Sequence, residues 1–362
     1  MKEHIELAQE AVQLLKKLIE TPSFSKEETG TALLIEDFLK SKEIETQRSG
    51  NNIWAFANTF NAELPTIWLN SHHDTVKPNS GYTKNPFSPI EEDRKLFGLG
   101  SNDAGGPLVS LISTFLYFAG KSLPLNLLLI ASAEEEISGQ GGISSIISQL
   151  PECELAIVGE PTLMQVAVAE KGLLVVDAKV KGKSGHAARD EGINAIYLAL
   201  DDLDEIRNFE FRKTSPFLGR TKVTATIIHA GTQHNVVPDL CEYTLDVRVT
   251  DAYTLEEAFE ELKSSLHAEL TPRSMRLQSS QLPGDHLMNR VIEDLDLKTF
   301  GSPTLSDQAL IPYPSVKIGP GDSARSHTAD EFVYLNEIQK GISGYIKILE
   351  TYSNLLIQNN TL

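Results

Sequence analysis

Leu127-Leu128-Leu129-Ile130-Ala131-Ser132-Ala133-Glu134-Glu135-Glu136-Ile137-Ser138-Gly139 is an unbroken apolar run that ends in three glutamates and a glycine. A short apolar run closed by a turn signal reads as a buried strand. A glutamate triplet is ordinarily a solvated charge run along a helix face. This one follows directly on a strand, so it stands at a strand end, where open α/β sheets bind their ligands.

Working outward, Thr66-Ile67-Trp68-Leu69, Leu125 to Ile130, Leu155 to Val158 and Ser315 to Ile318 read as strands of the same kind. Between them run helical patterns. Ile5, Ala8, Val12, Leu15 and Ile19 recur at spacings of three and four, a second helix is expected from about Lys26 to Lys40, and Pro107 suits the first turn of a helix over the apolar Leu108 to Phe118. This alternation predicts an α/β sandwich with a largely parallel sheet. Its strand ends carry His72, Glu135-Glu136 and Glu160, with His327 beyond the last strand and Asp103 in a glycine-rich turn.

From about Gly172 the pattern changes. Leu173 to Val180, Lys222 to Ile228 and Tyr243 to Val249 read as strands, while Asn194 to Ile206 and Thr254 to Leu266 read as helices. Together they predict a small α+β domain over residues 172–281, inserted into a discontinuous domain of residues 1–171 and 282–362. Leu282-Pro283-Gly284 marks the return, and Asn289 to Leu297 reads as a helix of the first domain.

The polar residues at the strand ends suit a metal centre. Imidazole nitrogen and carboxylate oxygen are ligands for zinc and its neighbours, and two such ions roughly 3.5–4 Å apart need a carboxylate to bridge them. Hydrolysis also needs a carboxylate that is not a ligand, to take a proton from the attacking water. The adjacent Glu135 and Glu136 can supply one ligand and one base.

Composition sets the outer limits. A chain of 362 residues exceeds one comfortable core and fits two domains. The excess of 50 acidic over 32 basic residues, a net charge of -18, argues against nucleic acid or an anionic membrane as partner. Cys153 and Cys241 lack metal-ligand spacing and fit a reducing compartment. No signal-peptide core follows Met1-Lys2-Glu3-His4, and no apolar stretch reaches membrane-spanning length, so a cytoplasmic protein is expected.

Read in order, five motifs resemble the M20 family of metallopeptidases and deacylases, a group that includes acetylornithine deacetylase, succinyl-diaminopimelate desuccinylase, aminoacylase and the glutamate carboxypeptidases. They are Ser71-His72-His73-Asp74-Thr75-Val76, Gly98-Leu99-Gly100-Ser101-Asn102-Asp103, Glu134-Glu135-Glu136-Ile137, Val158-Gly159-Glu160-Pro161-Thr162, and Gly319-Pro320-Gly321-Asp322 leading to Ser326-His327-Thr328. The resemblance spans nearly the whole chain. It implies the three-layer α/β sandwich of zinc-dependent exopeptidases with an inserted ferredoxin-like α+β domain that serves as lid and dimerisation module.

The resemblance also implies roles. His72 and Glu160 would hold one zinc, Glu136 and His327 a second, with Asp103 bridging and cobalt able to substitute. Asp74 would orient His72 and Glu135 would act as general base and acid, leaving His73 and Glu134 as neighbours. In the inserted domain, Lys183-Ser184-Gly185-His186-Ala187-Ala188 resembles the segment whose histidine stabilises the oxyanion across a homodimer. Asn235 and Arg248 there match substrate-binding positions, an arginine being able to grip a carboxylate through two parallel hydrogen bonds.

The implied reaction is hydrolysis of the amide of a small N-acyl amino acid. The overall pattern and the Ser302-Pro303-Thr304-Leu305-Ser306-Asp307 stretch favour an acetyl or succinyl derivative of ornithine, within arginine biosynthesis. A diaminopimelate desuccinylase, a dipeptidase or carboxypeptidase, and a catalytically silent metal-binding relative are the alternatives. Two positions depart from the family pattern. Ala104-Gly105-Gly106 follows Asp103 where a lysine and glycines are usual, and Leu99 stands where arginine is common.

Overall fold

The computed structural model describes residues 2–360 and the side chains of residues 4–359. It divides into two compact units, one of residues 1–168, 282–300 and 306–362 and the other of residues 169–281 and 301–305.

The larger unit is built on a twisted sheet. Its strands are β1 (Gln47–Ser49), β2 (Asn52–Phe56), β3 (Thr66–His72), β4 (Asn126–Ser132), β5 (Leu155–Val158), β6 (Val166–Glu170) and β7 (Ser315–Lys317), in the order β1-β2-β4-β3-β5-β7-β6. The four central strands β4, β3, β5 and β7 are parallel, and the strands flanking them pair antiparallel. All four are fully buried, because both of their faces are covered.

Alternation along each strand sends side chains to two different cores. Ile67, Leu69, Leu127, Leu129, Leu155 and Ile157 join a helix-covered core, whereas Trp68, Leu128, Ile130, Ala156 and Val158 pack with Ile143, Ile146 and Leu150 on the other face. The helical layer comprises α1 (Lys2–Glu20), α2 (Thr29–Ser41) and α3 (Gly106–Phe118), followed after the inserted unit by α6 (Leu287–Asp294) and α7 (Leu335–Asn360). Helix α3 is apolar almost all round and packs against α1 and α7, which makes it the centre of the layer.

Several boundaries differ from the sequence reading. Helix α2 begins at Thr29 and not near Lys26, because Lys26 has a left-handed φ of 76° and its N–H is taken by Glu28 Oε1 at 2.6 Å. In α1 the buried stripe is Ala11, Leu14, Leu15, Leu18 and Ile19, while Ile5 stays 44 % exposed. The strand Asn52–Phe56 and the 26-residue helix α7 were not anticipated.

The smaller unit is α+β. Four antiparallel strands run in the order Lys222–Ala230, Leu240–Val249, Gly172–Lys181 and Glu269–Pro272, accompanied by α4 (Ala195–Asn208) and α5 (Leu255–Lys263). A capping box between Thr254 and Glu257 starts α5. This unit has its own core, in which Leu174, Val176, Ala178, Leu245 and Val247 pack against the helices.

Phe115 of α3 is fully buried, so Phe115→Ala should destabilise the larger unit by about 3–5 kcal/mol. The shift in urea unfolding midpoint, followed by tryptophan fluorescence, measures it.

Candidate metal centre and active site

His72 is the last residue of β3 and is 1 % exposed. Its Nδ1 lies 3.0 Å from the carbonyl oxygen of Asp74, an arrangement in which Nδ1–H donates and Nε2 is left as a lone-pair donor. That Nε2 is buried without a hydrogen-bond partner. Carboxylate oxygens of Asp103, Glu160 and Glu135 surround it at 3.4, 3.7 and 3.8 Å, beyond hydrogen-bond range. An orphaned imidazole nitrogen ringed by anions is what a cation would satisfy, so the residues present fit a metal ion.

The potential ligands form two sets that share one residue. Donor atoms of His72, Asp103 and Glu160 lie within 4.8 Å of one another, and so do those of Asp103, Glu136 and His327. The structure therefore gathers His72, Asp103, Glu136, Glu160 and His327, with Asp103 common to both sets. His327 Nε2 stands 3.0 Å from Glu136 and 3.7 Å from Asp103.

Neighbouring strands and loops bring these groups together from distant parts of the chain. The parallel register places His72 opposite Ser132, three residues before Glu135. Gly159 donates its N–H to the Asn70 carbonyl at 2.7 Å and fixes the turn that carries Glu160. Against that turn packs Gly319, where a Cβ would meet the Glu160 carbonyl oxygen at 2.5 Å, so only glycine fits. Asn102 and Asp322 exchange two hydrogen bonds of 3.0 Å, which couples the Asp103 loop to the segment bearing His327.

Asp74 does more than orient His72. Its carboxylate accepts the N–H groups of Glu135 and Glu136 at 3.0 and 3.2 Å and the Ser25 hydroxyl at 2.7 Å, while its nearer oxygen is 3.4 Å from His72 Nδ1. Asp74 thus aims the glutamate turn, and its backbone carbonyl orients the imidazole. His73 bonds Thr31 Oγ1 and the Asn51 carbonyl, each at 2.8 Å, and both its nitrogens are used. Glu134 turns away, taking the Gly141 N–H.

Glu331 and Asp307 were missed as site residues. Buried Glu331 accepts N–H groups from Gly100, Asn102 and Asp103 at 3.0, 2.8 and 2.9 Å and so holds the backbone of Asp103, the residue common to both sets. Asp307 Oδ2 accepts both Asn70 Nδ2 at 2.8 Å and Ser132 Oγ at 2.6 Å, clamping the ends of β3 and β4.

The electrostatics follow from burying like charges. Burial, reinforced by Asp103, pushes the Glu160 carboxyl up to about 8. Burial also raises Glu135 well above the usual range, with Glu160 and Asp307 adding to the effect. The Glu136 hydrogen bond leads in pushing His327 up to about 9.

Three other sequence-derived candidates belong to the smaller unit. Exposed His186 lies in a two-residue ladder opposite Val236, and the Ala187 N–H bonds the Asn235 carbonyl at 3.0 Å, so His186 and Asn235 are neighbours. Arg248 makes two hydrogen bonds of 2.9 and 3.0 Å to Asp246 on its own strand.

Comparison with known proteins bears on this centre. A peptidase dimerisation domain model of the M20 group matches residues 168–273. The acetylornithine deacetylase of Pectobacterium atrosepticum is 30 % identical over 295 residues, covering 74 % of this chain and 75 % of that protein. The chain belongs to the M20 family of metallopeptidases and deacylases. The M20 relationship extends further, because the acetylornithine deacetylase of Photorhabdus laumondii is 29 % identical over 358 residues, 90 % of this chain and 93 % of the relative. A dinuclear metal-binding M20 peptidase, the Bacillus subtilis YXEP protein, shares the fold with a TM-score of 0.75 at 17 % identity, over 96 % of this chain and 99 % of its own. This M20 chain is thus a hydrolase of that fold, and no helix among its described residues is long and apolar enough to cross a membrane.

Two outcomes follow. A divalent cation held by Glu160 and His327 would displace protons from both, so zinc affinity should fall as pH drops below about 9 and fall further below about 8; chelator competition between pH 6 and 9.5 reads this. Glu331→Gln, which weakens the grip on the Asp103 backbone, should lower zinc affinity about 10- to 100-fold in the same assay.

Proposed function

We propose that this protein hydrolyses the amide of a small N-acyl amino acid, removing an acetyl or succinyl group from the α-nitrogen of ornithine within cytoplasmic arginine biosynthesis. The observation that carries this reading is Glu135, a buried carboxylate that lies beside both ligand sets without belonging to either, 3.8 Å from His72 Nε2. The acetylornithine deacetylases, which match over most of the chain, support the choice of acyl donor.

In this reading His72 and Glu160 hold one divalent cation, Glu136 and His327 a second, and Asp103 is shared, with zinc as the resident metal and cobalt able to replace it. Two cations there would polarise the substrate carbonyl and make water more acidic. Glu135 takes the proton of the attacking water, and its raised proton affinity suits it to hold that proton until the amide nitrogen can accept it. Asp74 keeps Glu135 and Glu136 aimed apart through their N–H groups, so that one serves as base and the other as ligand. Arg248 holds the substrate carboxylate, which must compete with Asp246 for the guanidinium.

A homodimer through the inserted domain completes the proposal. Tyr197 and Leu200 of α4 and Ile227 and Ile228 of the edge strand are 69, 54, 46 and 52 % exposed, apolar surface of the kind that pairing between copies covers. Within that dimer, His186 of the partner subunit supplies the oxyanion donor, with Asn235 beside it.

A hydrolysis panel of N-acetylornithine, N-succinylornithine, N-succinyl-diaminopimelate and a dipeptide, with zinc or cobalt, tests the substrate. Highest kcat/KM on an ornithine derivative is expected, and preference for the dipeptide would overturn the reading. Glu135→Ala should retain both metals and lose about 10²- to 10⁴-fold in kcat, the usual worth of a general base.

A further inference from the structure

Four consecutive backbone N–H groups of the glutamate turn are taken by side chains from other parts of the chain. Asn52 Oδ1 accepts that of Ala133 at 3.0 Å, Glu28 Oε1 that of Glu134 at 3.2 Å, and the two oxygens of Asp74 those of Glu135 and Glu136. Glu134 has a left-handed φ of 53°, a conformation that a residue with a side chain keeps only where its surroundings hold it. Its N–H is the one that Glu28 takes. Glu28 is fully buried and stands just before α2. The Lys26 N–H at 2.6 Å and Asn51 Nδ2 at 2.9 Å brace its carboxylate, and Arg48 in turn donates to Asn51 Oδ1 at 3.0 Å. In the same loop the Ser25 hydroxyl donates to Asp74 at 2.7 Å. The short loop from Ser25 to Glu28 thus grips the turn at Glu134 directly, and at Glu135 and Glu136 through Asp74.

From this arrangement we infer that Glu28 is a positioning residue for Glu135: by holding the Glu134 peptide in its left-handed conformation, it sets the direction in which the next side chain leaves the turn. Glu134 is the pivot, since its own carboxylate points the other way, to the Gly141 N–H at 3.2 Å. Reach, and not charge, is what the role requires. Both groups served by Glu28 Oε1, the N–H of Lys26 and that of Glu134, are neutral donors. An amide oxygen at the same distance can accept from them, whereas a carboxylate one methylene shorter falls short of Glu134. The inference rests on the reading of Glu135 as general base and adds to it the group that fixes where that base points.

Hydrogen exchange read by mass spectrometry on the full, zinc-loaded chain tests the hold independently of turnover. Peptides spanning Leu129 to Gly139 should exchange about tenfold faster in Glu28→Asp and stay within about twofold of the unaltered chain in Glu28→Gln, while peptides of the smaller unit are unchanged in both. In hydrolysis of the best substrate of the panel, Glu28→Asp should lose about tenfold in kcat with KM within about twofold. Adding Glu134→Gly to Glu28→Asp should return most of that loss, because glycine takes the left-handed conformation without help, and a role confined to overall stability would not be rescued in this way. Unchanged exchange over Leu129 to Gly139 in Glu28→Asp, a Glu28→Gln variant as loose as Glu28→Asp, or, in an active enzyme, no rescue by glycine overturns the inference. A turn loosened as expected in a chain that hydrolyses no member of the panel would leave Glu28 assigned as its holder and remove the hydrolase reading.

Discussion

Carboxylates that repel one another are gathered at the carboxyl edge of the central sheet, around an imidazole nitrogen that has no hydrogen-bond partner. Left in a low-dielectric surrounding, Glu135, Glu136 and Glu160 would each gain from moving apart or from taking up a proton, and their raised pKa values express that cost, whereas the nearby His72 imidazole, against the effect of burial, holds Asp103 below the usual range. The architecture around them opposes both escapes. Strands β3, β4 and β5 hold the chain ends side by side, and N–H donors and tight turns fix where each carboxylate points.

The holding groups are themselves acidic, which is how so much charge is organised in a small volume. Asp74 is satisfied by two N–H groups and a hydroxyl, Glu331 by three N–H groups, and Asp307 by an amide and a hydroxyl. These three carboxyl groups find their hydrogen-bond partners chiefly in neutral donors, while Lys317 brings positive charge toward Glu160 and His327 toward Glu136. Arg325 takes no part in this. It lies two residues before His327 but turns to Glu337 through hydrogen bonds of 2.9 and 2.7 Å, locking the ligand-bearing segment onto the start of α7 and adding no charge to the centre.

Specificity lies on a different scale from the chemistry. The fold is shared with M20 peptidases such as the Bacillus subtilis YXEP protein, whereas Leu99 and Ala104-Gly105-Gly106 stand at positions where this chain departs from the family pattern.

Local order along the chain was enough to read the central strands and the polar residues at their ends, because buried parallel strands are continuous apolar runs closed by polar residues. Helix α7 was equally periodic, with Ile338, Ile342, Tyr345, Leu349 and Tyr352 on its buried side, and lay within reach of the same reading. Glu331 and Asp307 were not, since nothing beside them in the chain reveals that their partners lie 228 to 231 and 175 to 237 residues away. Likewise the Arg248 sequence motif could not disclose that Asp246 already occupies the guanidinium. The sequence by itself determined which residue types stand at the strand ends; tertiary structure alone decided which carboxylates gather around His72 and His327 and which clamp the backbone, because a carboxylate's surroundings are set by the donors that reach it in space.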